Sequence, residues 1–394
     1  MKKLFGLLIL TMALVCLFSS CAEIEITINP DGKTCTIVDM NYQAEHLTIP
    51  GWVSGLTVTG IGNDVFHGHF NLKTVVIPDS VTHIGINAFA SCTSLEIVAL
   101  PASLESIGQG AFSNCRSLHS ITLPDGVTSI GAGAFSGCES LTRINIPDGV
   151  RDISSRAFSS TGITEIKIPD SVRYIGEAAF SGCEGLTSVK IPDSVGVIDR
   201  NAFQYCKGLV NIELGEGVRY IGSEVFAHCD NIRSIHLPAS LSEVDPLAFI
   251  NCPALSSITV DEDNPYFKSI DGNLYSKDGS TLVRYAVGKN ALKIKVIDGV
   301  KTIGKAAFYG SLISTVIFPE GLEAIEEMAF ALSSRLTKLV IPDSIVTIDR
   351  TAFPPDYYSN SYTIYYRGSE ESWNSKEGID LGEMRMIFNH KGDQ

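Results

Sequence analysis

The sequence contains few charged side chains and an excess of acidic ones. Of its 394 residues, 19% are charged and 44% are apolar, so the chain can bury a large core. The formal net charge is −14. An acidic chain lacks the basic surface that attracts phosphate groups. The composition therefore argues against a nucleic-acid partner and against direct binding to anionic membrane surfaces.

The usual catalytic and metal-binding motifs are missing. The chain contains no Gly-x-Ser-x-Gly, no His-Glu-x-x-His, no phosphate-binding glycine loop and no Cys-x-x-Cys pair. His67 and His69 are close in sequence, but no third ligand is nearby, so they are interpreted as variable positions. Residues 261–264, Asp-Glu-Asp-Asn, lack the spacing of a calcium loop and are interpreted as a solvated turn. We predict no enzyme activity, no cofactor and no metal.

A long apolar run occurs only at the N-terminus. Two lysines precede apolar residues 4–18, a run that is too short for a comfortable membrane-spanning helix and is typical of a secretory signal. Residues 18–21, Phe-Ser-Ser-Cys, resemble a bacterial lipobox, although phenylalanine stands where leucine is usual. We predict a signal peptide over residues 1–20 and lipidation of Cys21. Ordinary cleavage after Ala22 is the alternative.

A repeat occupies most of the chain. A phenylalanine that follows alanine or valine recurs twelve times at steps of 22 or 23 residues, with one gap of 59. A fixed period of about 20–29 residues with leucine or isoleucine at set offsets is typical of a leucine-rich-repeat solenoid. We predict this fold, with short parallel strands stacked about 4.8 Å apart. The twelve are Phe66, Phe89, Phe112, Phe135, Phe158, Phe180, Phe203, Phe226, Phe249, Phe308, Phe330 and Phe353.

Residues 141–158 illustrate the folding of one unit. Leu141, Ile144 and Ile146 are predicted to point inward from a short strand. The following proline ends the strand because it cannot donate to a ladder, and Asp-Gly then supplies a turn. Phe158 follows an alanine and is predicted to fill the centre of the coil.

Seven cysteines lie three residues after a repeat phenylalanine. Disulfide bonds between neighbouring coils are one interpretation in an exported protein. Parallel stacked side chains point the same way, which favours a column of buried thiols that pack as small apolar groups. Thr161, Ser311 and Ser333 replace the cysteine in other repeats, which argues against catalysis or metal binding. The seven are Cys92, Cys115, Cys138, Cys183, Cys206, Cys229 and Cys252.

The repeats share one consensus sequence. Residues 77–98, IPDSVTHIGINAFASCTSLEIV, match Ile-Pro-Asp-Ser-Val-x-x-Ile-Gly-x-x-Ala-Phe-x-x-Cys-x-x-Leu-x-x-Ile, with valine at the last position. This pattern resembles the BspA-like leucine-rich repeats of bacterial surface proteins, and the resemblance covers about residues 56–353. It implies a surface-exposed or secreted protein, since several members are adhesins for host matrix proteins such as fibronectin and fibrinogen. The family offers no shared catalytic residue.

Both ends of the repeat array are predicted to be capped. Residues 22–55 contain two alternating runs around Asn-Pro-Asp-Gly-Lys, a hairpin signal, and would cover the first coil. Residues 354–394 resemble the closing segment of the family, with Tyr366, Gly368 and Trp373 in the recurring places. Trp373 is predicted to pack on the last coil rather than to stack on a ligand.

One insert divides the repeats into residues 56–260 and 299–353. Residues 261–298 contain alternating runs joined by tight turns, which indicates a hairpin. A strand-rich elaboration of one coil is favoured over a protruding binding loop.

The outward positions of the predicted strands form the expected binding face. Charged residues occupy the middle repeats, with more basic than acidic groups, whereas the ends are neutral or apolar and include Ile317 and Val340. This patch suits an acidic protein partner. The alternative is that Arg143 pairs with Glu165, and Lys190 with Glu213, across adjacent strands. The charged positions are Arg143, Glu165, Lys167, Lys190, Glu213 and His236.

The predicted function is therefore a non-enzymatic protein of the bacterial cell surface. It would be a monomeric lipoprotein that binds a protein partner through the repeat face, in adhesion or host-matrix contact. The alternative is a structural scaffold of the envelope or periplasm without an external ligand.

Overall fold

The fold is seen in a computed structural model of the chain, which divides into two compact units, residues 1–209 and 210–394. Each unit is a parallel β-solenoid with coils of about 23 residues, so the predicted leucine-rich-repeat fold is confirmed. The part of the chain that is described contains no helix with the length and apolarity needed to cross a membrane. The described residues are 9–17, 20–289, 291–353, 362–376, 379 and 385–391, with side chains from residue 23 onward.

The first unit begins with antiparallel hairpins and continues with parallel strands. Its strands are β1 (Ile9–Leu17), β2 (Ser20–Ile28), β3 (Thr34–Met40), β4 (His46–Thr48), β5 (Trp52–Val53), β6 (Leu56–Ile61), β7 (Thr74–Val76), β8 (His83–Ile84), β9 (Ile97–Ala99), β10 (Ser106–Ile107), β11 (Ser120–Ile121), β12 (Ser129–Ile130), β13 (Arg143–Ile144), β14 (Asp152–Ile153), β15 (Glu165–Lys167), β16 (Tyr174–Ile175), β17 (Ser188–Ile191) and β18 (Val197–Ile198).

The second unit repeats this pattern and adds the insert and the C-terminal cap. Its elements are β19 (Asn211–Leu214), β20 (Tyr220–Ile221), β21 (Ser234–Leu237), β22 (Glu243–Val244), β23 (Ser257–Val260), β24 (Phe267–Ile270), β25 (Asn273–Ser276), β26 (Thr281–Arg284), β27 (Lys293–Lys295), β28 (Thr302–Ile303), β29 (Thr315–Ile317), β30 (Ala324–Ile325), β31 (Lys338–Ile341), β32 (Thr347–Ile348), β33 (Thr363–Tyr366), α1 (Glu370–Asn374) and β34 (Arg385–Ile387).

Each regular coil carries two short strands, where the sequence pattern predicts only the first. In the coil at 141–158, β13 pairs in parallel with β11, and the second strand β14 pairs with β16. The second strand is only two residues long, which is too short to show a period-two pattern. The sheet formed by the first strands of successive coils is hereafter called the strand face.

The turn around each repeat phenylalanine depends on left-handed backbone. Arg156 (φ 56°) and Ser160 (φ 55°) lie two residues before and two residues after Phe158, and the same two offsets have positive φ in neighbouring coils. Many coils place glycine or asparagine there, which tolerate this conformation. A non-glycine residue such as Arg156 costs about 1 kcal/mol. The phenylalanine nevertheless points into the core because the flanking residues reverse the chain.

The repeat phenylalanines stack on one another, continuously in the first unit and in separate runs in the second. From Phe66 to Phe203, adjacent ring centroids lie 5.0–5.8 Å apart with planes within 14° of parallel. In the second unit, Phe308, Phe330 and Phe353 stack at 4.8 and 5.5 Å. The rings are almost completely buried, so this stack is the centre of the hydrophobic core.

The cysteine column consists of free, buried thiols, as the sequence favoured. The thiols also donate hydrogen bonds. Cys92 Sγ donates to the carbonyl oxygen of Phe66 at 3.1 Å, and Cys115 Sγ to that of Phe89 at 3.2 Å. Ser333 Oγ donates to Phe308 O at 2.9 Å, and Thr161 Oγ1 to Phe158 O at 2.9 Å. Thr161 and Ser333, which replace cysteine, are therefore also buried hydroxyl donors with a backbone partner.

The insert is an elaboration of one coil. β26 pairs in parallel with β28, and the Tyr285 ring lies 5.0 Å from that of Phe308, where a repeat phenylalanine would stack. Tyr285 precedes Phe308 by 23 residues, so the insert contains a further copy that the search for phenylalanine missed. Asn264 is buried and donates to Pro238 O and Leu241 O, both at 2.9 Å.

A buried arginine joins the insert to the coils around it. Arg284 is 1% exposed and donates to Ala306 O (2.6 Å), Phe249 O (3.0 Å) and Tyr309 O (3.4 Å). Burial lowers its pKa to about 10, so the guanidinium stays charged at neutral pH. The three carbonyl dipoles stabilise its positive charge. Because these carbonyls belong to other coils, Arg284 links the insert to the coils on both sides.

The described ends of the repeat array contain a hairpin and a strand–helix segment. β2 and β3 form the hairpin around residues 29–33, and β3 pairs in parallel with β6. At the other end, the Trp373 ring packs edge-on against buried Tyr366 at 4.9 Å and lies against the hydrophobic core of this unit. The Tyr366 hydroxyl and Ser372 Oγ both donate to Asp343 in a turn of the last regular coil, each at 2.5 Å.

Candidate binding face

The middle of the strand face in the first unit is exposed and charged, as predicted. Arg143, Glu165, Lys167 and Lys190 are all exposed on β13, β15 and β17. Arg143 Nε lies 4.0 Å from Glu165 Oε1, and the two side chains are 80% and 75% exposed. The predicted pairing of these two residues is therefore present, but an ion pair so exposed contributes at most about 1 kcal/mol.

Two lysines lie side by side on this face. Lys167 on β15 and Lys190 on β17 are direct register partners in the parallel pair. Among the described residues, Lys167 makes no ion pair and no hydrogen bond. Like charges directly opposite each other on adjacent strands are destabilising. The arrangement concentrates positive potential on a protein whose net charge is −14.

The neighbouring outward position is used by the scaffold itself. Asn145 Nδ2 donates to Leu123 O at 2.7 Å, and its Oδ1 accepts from Leu123 N at 2.8 Å. The side-chain amide thereby adds two hydrogen bonds to the β11–β13 pair. The sequence pattern did not indicate this role for Asn145. Asn145 separates the lysines from the start of the face.

The start of the strand face is uncharged. On β4, β7, β9 and β11 the outward side chains include no Asp, Glu, Lys or Arg. Val76 is 46% exposed and Ile97 is 59% exposed, and a shallow groove passes between Ile97, Ala99 and Pro124. In the first unit, an uncharged surface with exposed apolar groups thus lies on the same strand face as the basic pair, with Asn145 between them.

The second unit differs from the prediction at its far end. Glu213 and His236 are exposed as expected, and His236 Nδ1 lies 3.0 Å from Thr259 Oγ1. Ile317 and Val340 were predicted to face outward, but they are 3% and 0% exposed. Val340 is the register partner of both Ile317 and the Tyr365 of the cap.

The burial of Ile317 and Val340 follows from their stacking with the cap. The Tyr365 ring lies under Lys338 Nζ at 4.4 Å and packs edge-on against His390 at 4.8 Å. The apolar end of the predicted face is therefore buried and is not exposed surface. Two basic positions that the sequence analysis missed, Lys293 and Lys295, are exposed on β27. Tyr285 lies 23 residues before Phe308, and counting forward from it as from a repeat phenylalanine assigns Lys293 and Lys295 to outward strand positions.

The remaining positions considered as sites are possible metal ligands, the turn at residues 261–264, Cys21 and the signal peptide. Nowhere in the described residues do three or more His, Cys, Asp or Glu side chains group to hold a metal. Asp261 Oδ1 accepts from Asp263 N at 2.9 Å within the predicted turn. The side chain of Cys21 lies outside the part of the chain that is described, so its predicted lipidation stays a prediction. The predicted signal peptide, which contains β1, has the same status.

Comparison with known proteins agrees with the architecture. A family model for the BspA type leucine rich repeat region matches in six copies, over residues 59–186, 151–280 and 285–372. A leucine-rich repeat protein from Bacteroides ovatus is similar, with a TM-score of 0.67 and 24% identity, covering 92% of this chain and 98% of that chain. No sequence among curated proteins matches.

A second solved structure has a lower structural similarity. A leucine rich cell surface protein from Faecalibacterium prausnitzii is 26% identical, with a TM-score of 0.46, and the match covers 91% of this chain and 96% of that chain. Proteins of the matched repeat family are generally non-enzymatic scaffolds for protein interaction, and relatives are found at bacterial surfaces. Because the family model matches well over half of its residues, this chain belongs to the BspA-type leucine-rich repeat family.

Proposed function

We propose that this protein is a lipid-anchored adhesin of the bacterial surface that binds an acidic protein partner through the strand face of its first unit. The observation that carries the proposal is the exposed pair Lys167 and Lys190, in which Lys167 has no ion-pair partner among the described residues. Complementary charge accelerates encounter and selects the partner.

The uncharged start of the face supplies the second part of the proposed interface. Val76 and Ile97 are exposed apolar groups on adjacent strands, and apolar contacts supply the non-directional part of binding energy. β7 and β15 are four strand steps apart, which is about 19 Å at about 4.8 Å per step. A single protein partner of ordinary interface size spans that distance.

Charge reversal at Lys167 tests the proposed face. We expect Lys167→Glu to weaken saturable binding to immobilised host matrix proteins at least about tenfold, with a smaller effect in high salt. Arg151→Glu makes the same change of charge at an exposed position beside β14, on the other sheet, and should alter affinity less than about twofold. Surface plasmon resonance with the purified protein measures both.

If both variants bind as tightly as the wild type, the strand face is not the binding surface. If the wild-type protein binds no matrix protein, the alternative function as a structural scaffold of the envelope is favoured.

The proposed lipid anchor requires Cys21. We expect cells fed an alkyne-tagged fatty acid to label the wild-type protein and not the Cys21→Ser variant, because the thioether forms only on that sulfur. Cys16→Ser is the matched control, since that cysteine lies five residues earlier within the predicted signal peptide. Label retained by Cys21→Ser, or missing from the wild type, contradicts the anchor. Detection uses click chemistry after immunoprecipitation.

A further inference from the structure

A groove near the beginning of the first unit is separate from the charged positions of the strand face. Two segments line it, residues 42–44 (Tyr-Gln-Ala) and residues 67–72 (His-Gly-His-Phe-Asn-Leu). None of these residues carries a carboxylate, ammonium or guanidinium group. Aromatic, amide and imidazole groups therefore determine what this groove can bind.

Phe70 is out of place for a residue of the scaffold. Its side chain is 62% exposed, so it adds little to the core. The position four residues after the repeat phenylalanine is polar or charged in five of the six other coils of the first unit and is glycine (Gly162) in the sixth, whereas in the second unit it includes Pro253 and the 50% exposed Leu312. The five are Thr93, Arg116, Glu139, Glu184 and Lys207. Phe70 thus brings an exposed aromatic ring to a surface position beside the groove, and exposed apolar groups of this kind mark ligand contacts.

The backbone turn before Phe70 places its ring over a glycine. Gly68 has φ +71°, and Phe70 N donates to Gly68 O at 2.8 Å, which closes a tight turn. A Cβ atom on Gly68 would lie 3.6 Å from the Phe70 ring, so the ring lies directly over this glycine. His69, between them, packs its ring edge-on against buried Phe66 at 5.6 Å. An aromatic side chain has only two rotatable side-chain torsions, so it loses little conformational entropy on binding.

Polar side chains around the platform have unused hydrogen-bonding capacity. Within the described part of the chain, the side chains of Gln43, His69 and Asn71 form no hydrogen bond. His67 Nδ1 has only a long contact of 3.4 Å with Asp64 Oδ1. An amide offers both donors and an acceptor, and a neutral imidazole offers one of each.

We propose that this groove binds a neutral sugar. One face of a pyranose ring presents C–H groups, whose positive polarisation matches the negative face of the Phe70 ring. Its hydroxyl groups both donate and accept, which suits the amides of Gln43 and Asn71 and the imidazole of His69. The uncharged lining gives an acidic sugar or a free anion no counter-charge. The site acts independently of the protein-binding strand face.

Binding to a glycan array, followed by saturation-transfer NMR, tests this proposal. The purified wild-type protein is probed against neutral, sialylated and sulfated glycans. We expect binding to neutral glycans, with saturation passing to the ring protons of the sugar. Phe70→Ala should weaken it at least about tenfold, and Asn71→Ala should weaken it measurably. Trp52→Ala removes another exposed aromatic ring, 70% exposed and outside the groove, and should leave binding unchanged.

Several outcomes would overturn the sugar site. They are no binding to any neutral glycan, binding to acidic glycans only, and neutral binding that Phe70→Ala does not weaken. If Phe70→Ala instead weakens a protein complex and no sugar binds, the groove belongs to a protein interface. A melting temperature within about 2 °C of the wild type shows that each variant is folded. Loss of protein binding through Lys167→Glu leaves this test unaffected.

Discussion

Replacing Phe135 by alanine is expected to destabilise the first unit by about 4 kcal/mol. The Phe135 ring is fully buried and stacks on Phe112 at 5.5 Å and on Phe158 at 5.8 Å. Its removal leaves a cavity and breaks two aromatic contacts. The ladder hydrogen bonds between coils limit how far the neighbouring rings can move to fill that cavity.

The consequence of Phe135→Ala should be local as well as large, because a solenoid coil contacts only its neighbours. Hydrogen exchange should show lost protection concentrated around residues 112–158, and urea unfolding followed by circular dichroism should show a lower midpoint. Phe70→Ala is the matched control, since this ring is 62% exposed, and should change stability by less than about 0.5 kcal/mol. Equal midpoints for the two variants would contradict the phenylalanine stack.

The cysteine column is expected to be at least about a hundredfold less reactive toward a thiol reagent than an exposed cysteine. Burial raises the pKa of Cys92 and of Cys138 from 9.0 to about 12, and that of Cys183 to about 11. The thiolate is the nucleophile, so at pH 8 these pKa values reduce the reactive fraction about a thousandfold for Cys92 and Cys138 and about a hundredfold for Cys183. The reagent must also reach sulfurs that have no exposed surface.

Thiol titration in a Cys16→Ser, Cys21→Ser background measures this reactivity. The eight described cysteines should react slowly in native protein and completely in urea. Ser120→Cys adds a thiol at an exposed position of β11 and should contribute one rapid equivalent. A reducing agent should not change the melting temperature, since the described cysteines are free. Rapid reaction of several native thiols, or masses that show disulfides, would contradict the buried donor column.

Much of the scaffold was predictable because one unit repeats in register. Each inward leucine, isoleucine and phenylalanine meets the same residue type of the next coil, so a constant period specifies both the strand and its neighbour. The outward positions of β13, β15 and β17 followed from the same alternation, and Arg143, Glu165, Lys167 and Lys190 are exposed there. Their role in binding remains a proposal.

The structure differs from the prediction at residues whose burial or hydrogen bonding is set by a partner in the next coil or in a cap. Tyr285 substitutes for phenylalanine in the stack, so a search for phenylalanine missed its coil. The sequence pattern places Asn145 at an outward position, but its side-chain amide hydrogen-bonds to the backbone of Leu123 in the preceding coil. Ile317 and Val340 are buried because Tyr365 of the cap continues their column. Such contacts join residues about one repeat apart, but the residue type at each of them departs from the consensus, so the consensus pattern did not indicate them.

The sequence alone determined the family, the coil length and the identity of the core, because stacking translates a linear period directly into neighbouring contacts. Only the tertiary structure decided which outward residues are available to a ligand. It revealed that the thiols satisfy carbonyls, that Arg284 holds the insert, and that Phe70 stands exposed beside unpaired amides. Exposure and hydrogen-bond satisfaction depend on every neighbour of a side chain, and those neighbours are set by the packing of coils and caps.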